Sequence, residues 1–243
     1  MSNPNGPYPG RQLFIGLTVD ARPALVYLVT GRSPQSRERL AVAAGDSIRI
    51  DPIGQQEHVP LRFHYPSVKF DNDTGMAVVS NGIQTEAIFE TYRLLLIAGT
   101  SPTGDYLEKI LDGAGAEPDS LKTPRIAGVV TSIGDNKKPV FIIGIVTEGA
   151  PASAFEIELE PGTLVGISTY KGDLANPEAF HPASELPRLQ PGGRTAKDLA
   201  EYLYDMSEAT NQGEDIRVCT IGGVLSTDGH WTHHLINKHG PSS

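Results

Sequence analysis

Three short segments hold residue types that could do chemistry together. Gly31-Arg32-Ser33-Pro34-Gln35-Ser36-Arg37 follows a run of apolar, β-branched residues, so Arg32 and Arg37 would project from a strand end. Two nearby guanidinium groups with hydroxyls between them suit a phosphate monoester, which they can grip through paired hydrogen bonds. A solvated turn would carry the same residues. Ser80-Asn81-Gly82-Ile83-Gln84-Thr85-Glu86 joins a predicted strand to a predicted helix through a tight turn. Backbone donors and a helix start of this kind can face an anion or a carbonyl, although a plain capped turn reads alike. Leu121-Lys122-Thr123-Pro124-Arg125-Ile126 puts Thr123 and Arg125 at the mouth of a strand. Pro124 fixes the entry and cannot donate to a ladder, which holds Arg125 in place. An ordinary strand start with a solvated Arg is the plainer alternative.

Other chemistries find weaker support. Gly99-Thr100-Ser101-Pro102-Thr103-Gly104 has the glycine spacing of a phosphate loop, but Asp105 and Tyr106 stand where Lys and Ser/Thr are needed. His230, His233, His234 and His239 cluster with irregular spacing and no Asp, Glu or Cys among them, so a packed or solvated run is expected rather than a metal site. His58, His64 and His181 are scattered. Cys219, the one cysteine, lies among apolar neighbours, which predicts a buried structural thiol and excludes internal disulfides. Ser2 could become a terminal nucleophile after loss of Met1, yet it leads a stretch rich in Asn, Pro and Gly with nothing to hold it. With 20 Lys+Arg against 29 Asp+Glu, the net charge of −9 argues against nucleic acid or an anionic membrane as partner. The start of the chain lacks the pattern of a signal peptide, and no apolar stretch approaches the ~20 residues of a membrane helix. Those features predict a cytoplasmic protein.

These segments need strands and helices to position them. Gln12–Thr18 and Ala24–Val29 read as a hairpin, with further strands at Asp46–Ile50, Ser67–Phe70 and Met76–Ser80. Thr85 to about Ala98 sets Ile88, Tyr92, Leu95 and Leu96 on one helical stripe, and a weaker helix spans Thr103 to Leu111. Arg125–Ser132 and Pro139–Val146 are strands about the turn Gly134-Asp135-Asn136, followed by Ala154–Leu159 and Thr163–Thr169. Thr195-Ala196-Lys197-Asp198 is a capping box opening a helix to about Ser207, and Ile216–Leu225 is a long apolar strand. Hairpin pairs with grouped helices favour antiparallel sheets over a doubly wound parallel one. The resulting expectation is a flexible tail at 1–9, one domain at 10–239 with a Pro-rich loop or lid at 171–194, and a frayed end at 240–243.

The ordered set resembles the archaeal-type IMP cyclohydrolase family. Tyr8-Pro9-Gly10-Arg11, Tyr27-Leu28-Val29-Thr30-Gly31-Arg32-Ser33, Arg37, Val78-Val79-Ser80-Asn81-Gly82, Thr123-Pro124-Arg125-Ile126, Phe141–Val146 and Ser168-Thr169-Tyr170 carry the resemblance between Gly10 and Asp173. It implies an α+β fold, the αββα four-layer sandwich of the N-terminal-nucleophile hydrolases, used without a terminal nucleophile. The implied reaction closes 5-formamidoimidazole-4-carboxamide ribotide to IMP with loss of water, which needs orientation, oxyanion stabilisation and proton transfer but no cofactor or metal. The roles so implied give Arg32, Arg37 and Lys69 to the phosphate or a developing anion. Tyr65 would donate to the formyl oxygen or relay a proton, and Asn81 and the Gly82 backbone would fix the carboxamide, with Thr123 as a further substrate-binding residue. Glu117 would take the amide proton, and Arg125 would orient Glu117 or polarise the formyl group. The implied partner is a small purine ribonucleotide; a homo-oligomer is left open by the sequence. A nucleotide-binding domain without turnover, or an amide hydrolase on the same scaffold, would be the rival readings.

Overall fold

The computed structural model describes residues 3–4, 6–54, 65–131, 138–181 and 185–240. The first hairpin, β1 (Arg11–Leu17) and β2 (Pro23–Thr30), leads through a single helical turn, α1 (Pro34–Arg37), into a second sheet. That sheet is a meander of β3 (Arg39–Ala44), β4 (Ser47–Pro52), β5 (Pro66–Asp71), β6 (Met76–Ser80), β7 (Arg125–Thr131), β8 (Val140–Val146) and β9 (Ser153–Ile157), side by side in chain order. Helices α2 (Gln84–Ile97) and α3 (Gly104–Ala114) are inserted between β6 and β7. The chain then returns as β10 (Leu164–Ser168) beside β1, adds two-residue strands β11 (Tyr170–Lys171), β12 (Glu178–Ala179) and β13 (Arg188–Leu189), and runs into α4 (Ala196–Met206). A small ribbon of β14 (Thr210–Asn211) and β15 (Glu214–Asp215) precedes β16 (Arg217–Leu225) and β17 (Trp231–Asn237). The first sheet has the order β13-β10-β1-β2-β16-β17, and every strand pair in both sheets is antiparallel.

Strand periodicity sorts the apolar residues into three cores. In β1, Leu13, Ile15 and Leu17 face the second sheet, whereas Phe14 faces α4; in β2, Leu25, Tyr27 and Val29 alternate in the same way with Ala24, Val26 and Leu28. Across the gap, Ala77, Val79, Ile126 and Val130 join the central core, while Met76, Val78, Ala127 and Val129 pack under Ile88, Tyr92, Leu107 and Leu111 of α2 and α3. The layers thus run helix, sheet, sheet, helix pair. Both faces of each sheet are covered, so the central strands are apolar throughout rather than alternating with polar residues. Gly144 is required by close approach: a Cβ there would come within 2.7 Å of both Leu107 and Leu111. The capping box of α4 is present, with Thr195 Oγ1 accepting from Asp198 N at 3.1 Å and Asp198 Oδ2 accepting from Thr195 N at 3.0 Å.

Several expectations need correction. Residues 1–9 are not a free tail where they are described. The Asn3 side chain donates to Gln12 Oε1 at 2.8 Å and Ser207 Oγ at 2.9 Å, and the Tyr8 ring stacks on Tyr170 with centroids 5.8 Å apart. The 171–194 stretch is not one open loop. It contains the β11–β12 ribbon and edge strand β13, and Phe180 plugs the central core at 1% exposure. Strand β17 occupies the His-rich segment, where His233 stacks on Phe70 at 6.0 Å. Alternation along that strand is masked in sequence because His233 and Asn237 share the inner face with Trp231 and Leu235. Ser2, His58, His64, the turn at Gly134-Asp135-Asn136 and residues 241–243 lie outside the described residues. Among the described residues, no helix is long and apolar enough to cross a membrane.

Candidate active site

Because the strands are antiparallel, the starts of β1, β3, β5 and β7 and the ends of β2, β4, β6 and β10 share one edge of the double sheet. A cleft of about 530 Å³ opens there, lined among others by Tyr8, Arg11, Arg39, Tyr65, Glu117 and Tyr170. That volume is within the usual range for a small-molecule site.

One wall is the strand-to-helix turn after β6. The Asn81 side chain ties it to β7, donating from Nδ2 to the Pro124 carbonyl and accepting from Ile126 N, both at 2.8 Å. Thr85 Oγ1 donates to the Gly82 carbonyl at 2.8 Å. The absence of a side chain at Gly82 makes room for the next contact. A Cβ there would overlap the Arg125 guanidinium and the Gln84 carboxamide oxygen, and would lie 2.9 Å from Glu117 Oε1. Arg125 Nη1 fills that space, donating to Glu117 Oε1 at 2.8 Å and Gln84 Oε1 at 3.0 Å. The Arg125 side chain is 4% exposed and that of Glu117 is 17% exposed, so the pair is shielded but its carboxylate reaches the cleft. Tyr65 OH donates to the Asn81 carbonyl at 2.6 Å. A carbonyl only accepts, so this bond takes the phenol's one proton and leaves its oxygen lone pairs.

The opposite lip is the loop before β7. Asp119 accepts from the amides of Leu121 and Thr123 at 3.2 and 3.0 Å and from Thr123 Oγ1 at 2.7 Å, while Thr123 Oγ1 lies 2.6 Å from Tyr170 OH. Lys122 takes a positive φ of 50° at the apex of this turn. The loop is thereby fastened to β11 and, through the Tyr8–Tyr170 stack, to the N-terminal segment.

Of the residues singled out by sequence, Tyr65, Asn81, Gly82, Glu117, Thr123 and Arg125 converge at this edge. Arg32, Arg37 and Lys69 do not line the cleft. Arg37 is buried and donates from Nη1 to the Arg32 carbonyl at 2.9 Å, a bond that shapes the α1 loop. Lys69 pairs with Glu86 at 2.8 Å, sits 4.2 Å from the Phe89 ring centroid, and borders a separate depression with Asp71 and Arg93. Tyr65 lines the cleft with its hydrogen on the Asn81 carbonyl, so donation to a ligand would require that bond to exchange.

Two cations in the cleft were not assigned a role by sequence. Arg11 donates from Nη1 to the Thr30 carbonyl at 3.2 Å, and Arg39 donates from Nε and Nη2 to the Ser36 carbonyl at 2.9 and 2.7 Å. The signal was available in the strand period. Arg11 continues the series Leu17, Ile15, Leu13 on the central-core face, and Arg39 shares its face of β3 with buried Ala41. Burial, with Arg11 as a second cause, lowers the Arg39 pKa to about 10. Behind them, burial pushes the Cys219 thiol up to about 12 and raises the Tyr27 and Tyr65 phenols. The thiol is therefore no nucleophile at neutral pH.

Fold and cleft together define a mixed α/β protein of antiparallel sheets with a ligand-sized polar cleft at one sheet edge. A family model described as IMP cyclohydrolase-like protein matches residues 8–229, and the chain belongs to that family. It is 32% identical to a Methanothrix thermoacetophila protein named IMP cyclohydrolase, over 82% of this chain and 86% of the other. Identity to a Thermococcus kodakarensis protein of the same name is 34%, over 82% and 86%. A Methanococcus maripaludis (strain C5) protein so named shares 29%, over 83% and 89%.

Proposed function

We propose that this chain is an IMP cyclohydrolase, closing 5-formamidoimidazole-4-carboxamide ribotide to IMP and water on an αββα scaffold of the N-terminal-nucleophile hydrolase kind. The observation that carries the reading is the convergence of Tyr65 and an Arg125-held Glu117 on one cleft, in a chain whose family match spans residues 8–229. The carboxamide nitrogen attacks the formyl carbon, forming the new C–N bond and a carbinolamine. Glu117, held by Arg125, accepts the proton that this nitrogen sheds and returns it to the former formyl oxygen. The formamide nitrogen then loses its own hydrogen as the C–O bond breaks, and the oxygen leaves as water with both protons. Tyr65 steers the attack by accepting an N–H of the carboxamide on its free lone pairs. The Asn81–Gly82 turn acts by positioning, since the Asn81 amide is spent on β7.

Holding two groups of one molecule in attack geometry is the larger part of the task, and general-base help contributes ~10²–10⁴-fold. No step calls for a Lewis acid, so the reaction is proposed to be metal-independent. Incubation of the chelator-treated protein with the formamido ribotide tests it: IMP should accumulate at an unchanged rate. Loss of turnover on chelation with recovery on adding zinc would overturn the metal-free mechanism.

A further inference from the structure

Arg11 and Arg39 are strange residues to find at the end of a hydrophobic core. Arg39 is only 7% exposed, and among the described residues both donate to neutral backbone carbonyls. Among the described residues neither guanidinium forms an ion pair with a carboxylate; Arg37 is as buried as Arg39 and forms none either, but Arg11 and Arg39 line the cleft and Arg37 does not. Glu38 lies at the cleft rim, exposed, and Glu117 is taken by Arg125. Enclosed cations without a counter-ion are costly, and a fold keeps them where a ligand supplies the missing charge. Burial first, and the Arg11 charge second, lower the Arg39 pKa.

We propose that Arg11 and Arg39 are the receptor for the dianionic phosphate of the ribonucleotide, a role that rests on the cyclohydrolase reading above and replaces the expectation for Arg32 and Arg37. Charge selects this ligand group over the reacting one. Two cations balance a phosphate monoester, which carries nearly two negative charges at neutral pH. The formyl oxygen is neutral in the bound substrate and gains a single charge only in passing. Geometry agrees, because each guanidinium uses one edge on a backbone carbonyl and has N–H groups left over, and both residues line the cleft.

Calorimetric titration with IMP and with inosine, on wild type and on Arg39→Gln, tests the assignment. Wild type should bind IMP and bind inosine at least ~10²-fold more weakly, and Arg39→Gln should lose about the same factor for IMP with little change for inosine. If Arg39→Gln fails to fold, Arg11→Gln takes its place with the same expectation. Equal affinity of wild type for IMP and inosine would overturn the proposal. So would a variant that binds IMP like wild type, even if its kcat has fallen. Steady-state turnover of the formamido ribotide separates the two claims. Turnover by wild type with IMP binding insensitive to both Arg substitutions would sink the phosphate receptor and leave the cyclohydrolase. Phosphate-dependent IMP binding without turnover would keep the receptor and sink the catalytic reading.

Discussion

Gly82 carries the tightest steric demand in the cleft, because Arg125, Gln84 and Glu117 all occupy the space its missing Cβ leaves. Gly82→Ala should therefore push Arg125 off Glu117 and lower kcat by ~10² or more, the scale of a lost catalytic proton transfer. Circular dichroism should show the fold retained; activity within a few-fold of wild type would remove Gly82 from the account. Glu117→Gln keeps the shape but cannot take a proton, and should cost ~10²–10⁴ in kcat while IMP affinity changes little. These residues were legible in the sequence because a strand end, a glycine turn and a proline-fixed Arg are local signals. Arg11 and Arg39 were not, although each sits in phase with core residues. Burial of a charge is decided by the other sheet, which no local window contains. The bond from Tyr65 OH to the Asn81 carbonyl left no mark in the sequence, since every residue has a carbonyl.

At the level of elements, the N-terminal segment matters more than its composition suggests. Asn3 satisfies Gln12, which is fully buried in β1, and Tyr8 forms part of the cleft wall against Tyr170. Deleting residues 1–8 leaves the Gln12 amide without that partner, worth ~1–3 kcal/mol. For a domain of this size that lowers Tm by about 2–12 °C, and KM should rise because the Tyr8 wall is gone. An unchanged Tm and KM would restore the free-tail expectation. Hairpins β1–β2 and β7–β8, helix α2 and the α4 capping box were readable from period and caps. Strands β3 and β17 were not, because an edge strand with one face toward solvent carries half the apolar signal, and in β17 a pair of histidines interrupts the alternation. The Pro-rich stretch misled in the opposite direction: Pro177 and Pro187 stand just before β12 of the ribbon and edge strand β13, and Phe180 between those strands is buried in the core.

For the whole molecule, the central core ends in a titratable cluster whose protonation ties stability to alkaline pH. Cys219, Tyr27 and Tyr65 all hold their protons more tightly when folded, through burial. Above about pH 9 the unfolded thiol and phenols ionise while the folded ones do not. The folded state then binds more protons, and stability falls as pH rises. Arg39 acts with the opposite sign above about pH 10, where the folded guanidinium loses a proton that the unfolded chain keeps, and it offsets part of the loss. Thermal melts between pH 7 and 10 should show Tm declining from about pH 9, with a shallower decline in Cys219→Ser; a flat profile in wild type would contradict the buried cluster. The same substitution should leave turnover within a few-fold, because no step uses the thiol. The central claim is catalytic, and its most direct test is conversion of the formamido ribotide by the purified, chelator-treated wild-type chain. The account predicts IMP formed in stoichiometric amount, at a rate that scales with protein and is lost in Glu117→Gln. Tight binding of IMP with no conversion above the buffer rate would contradict it.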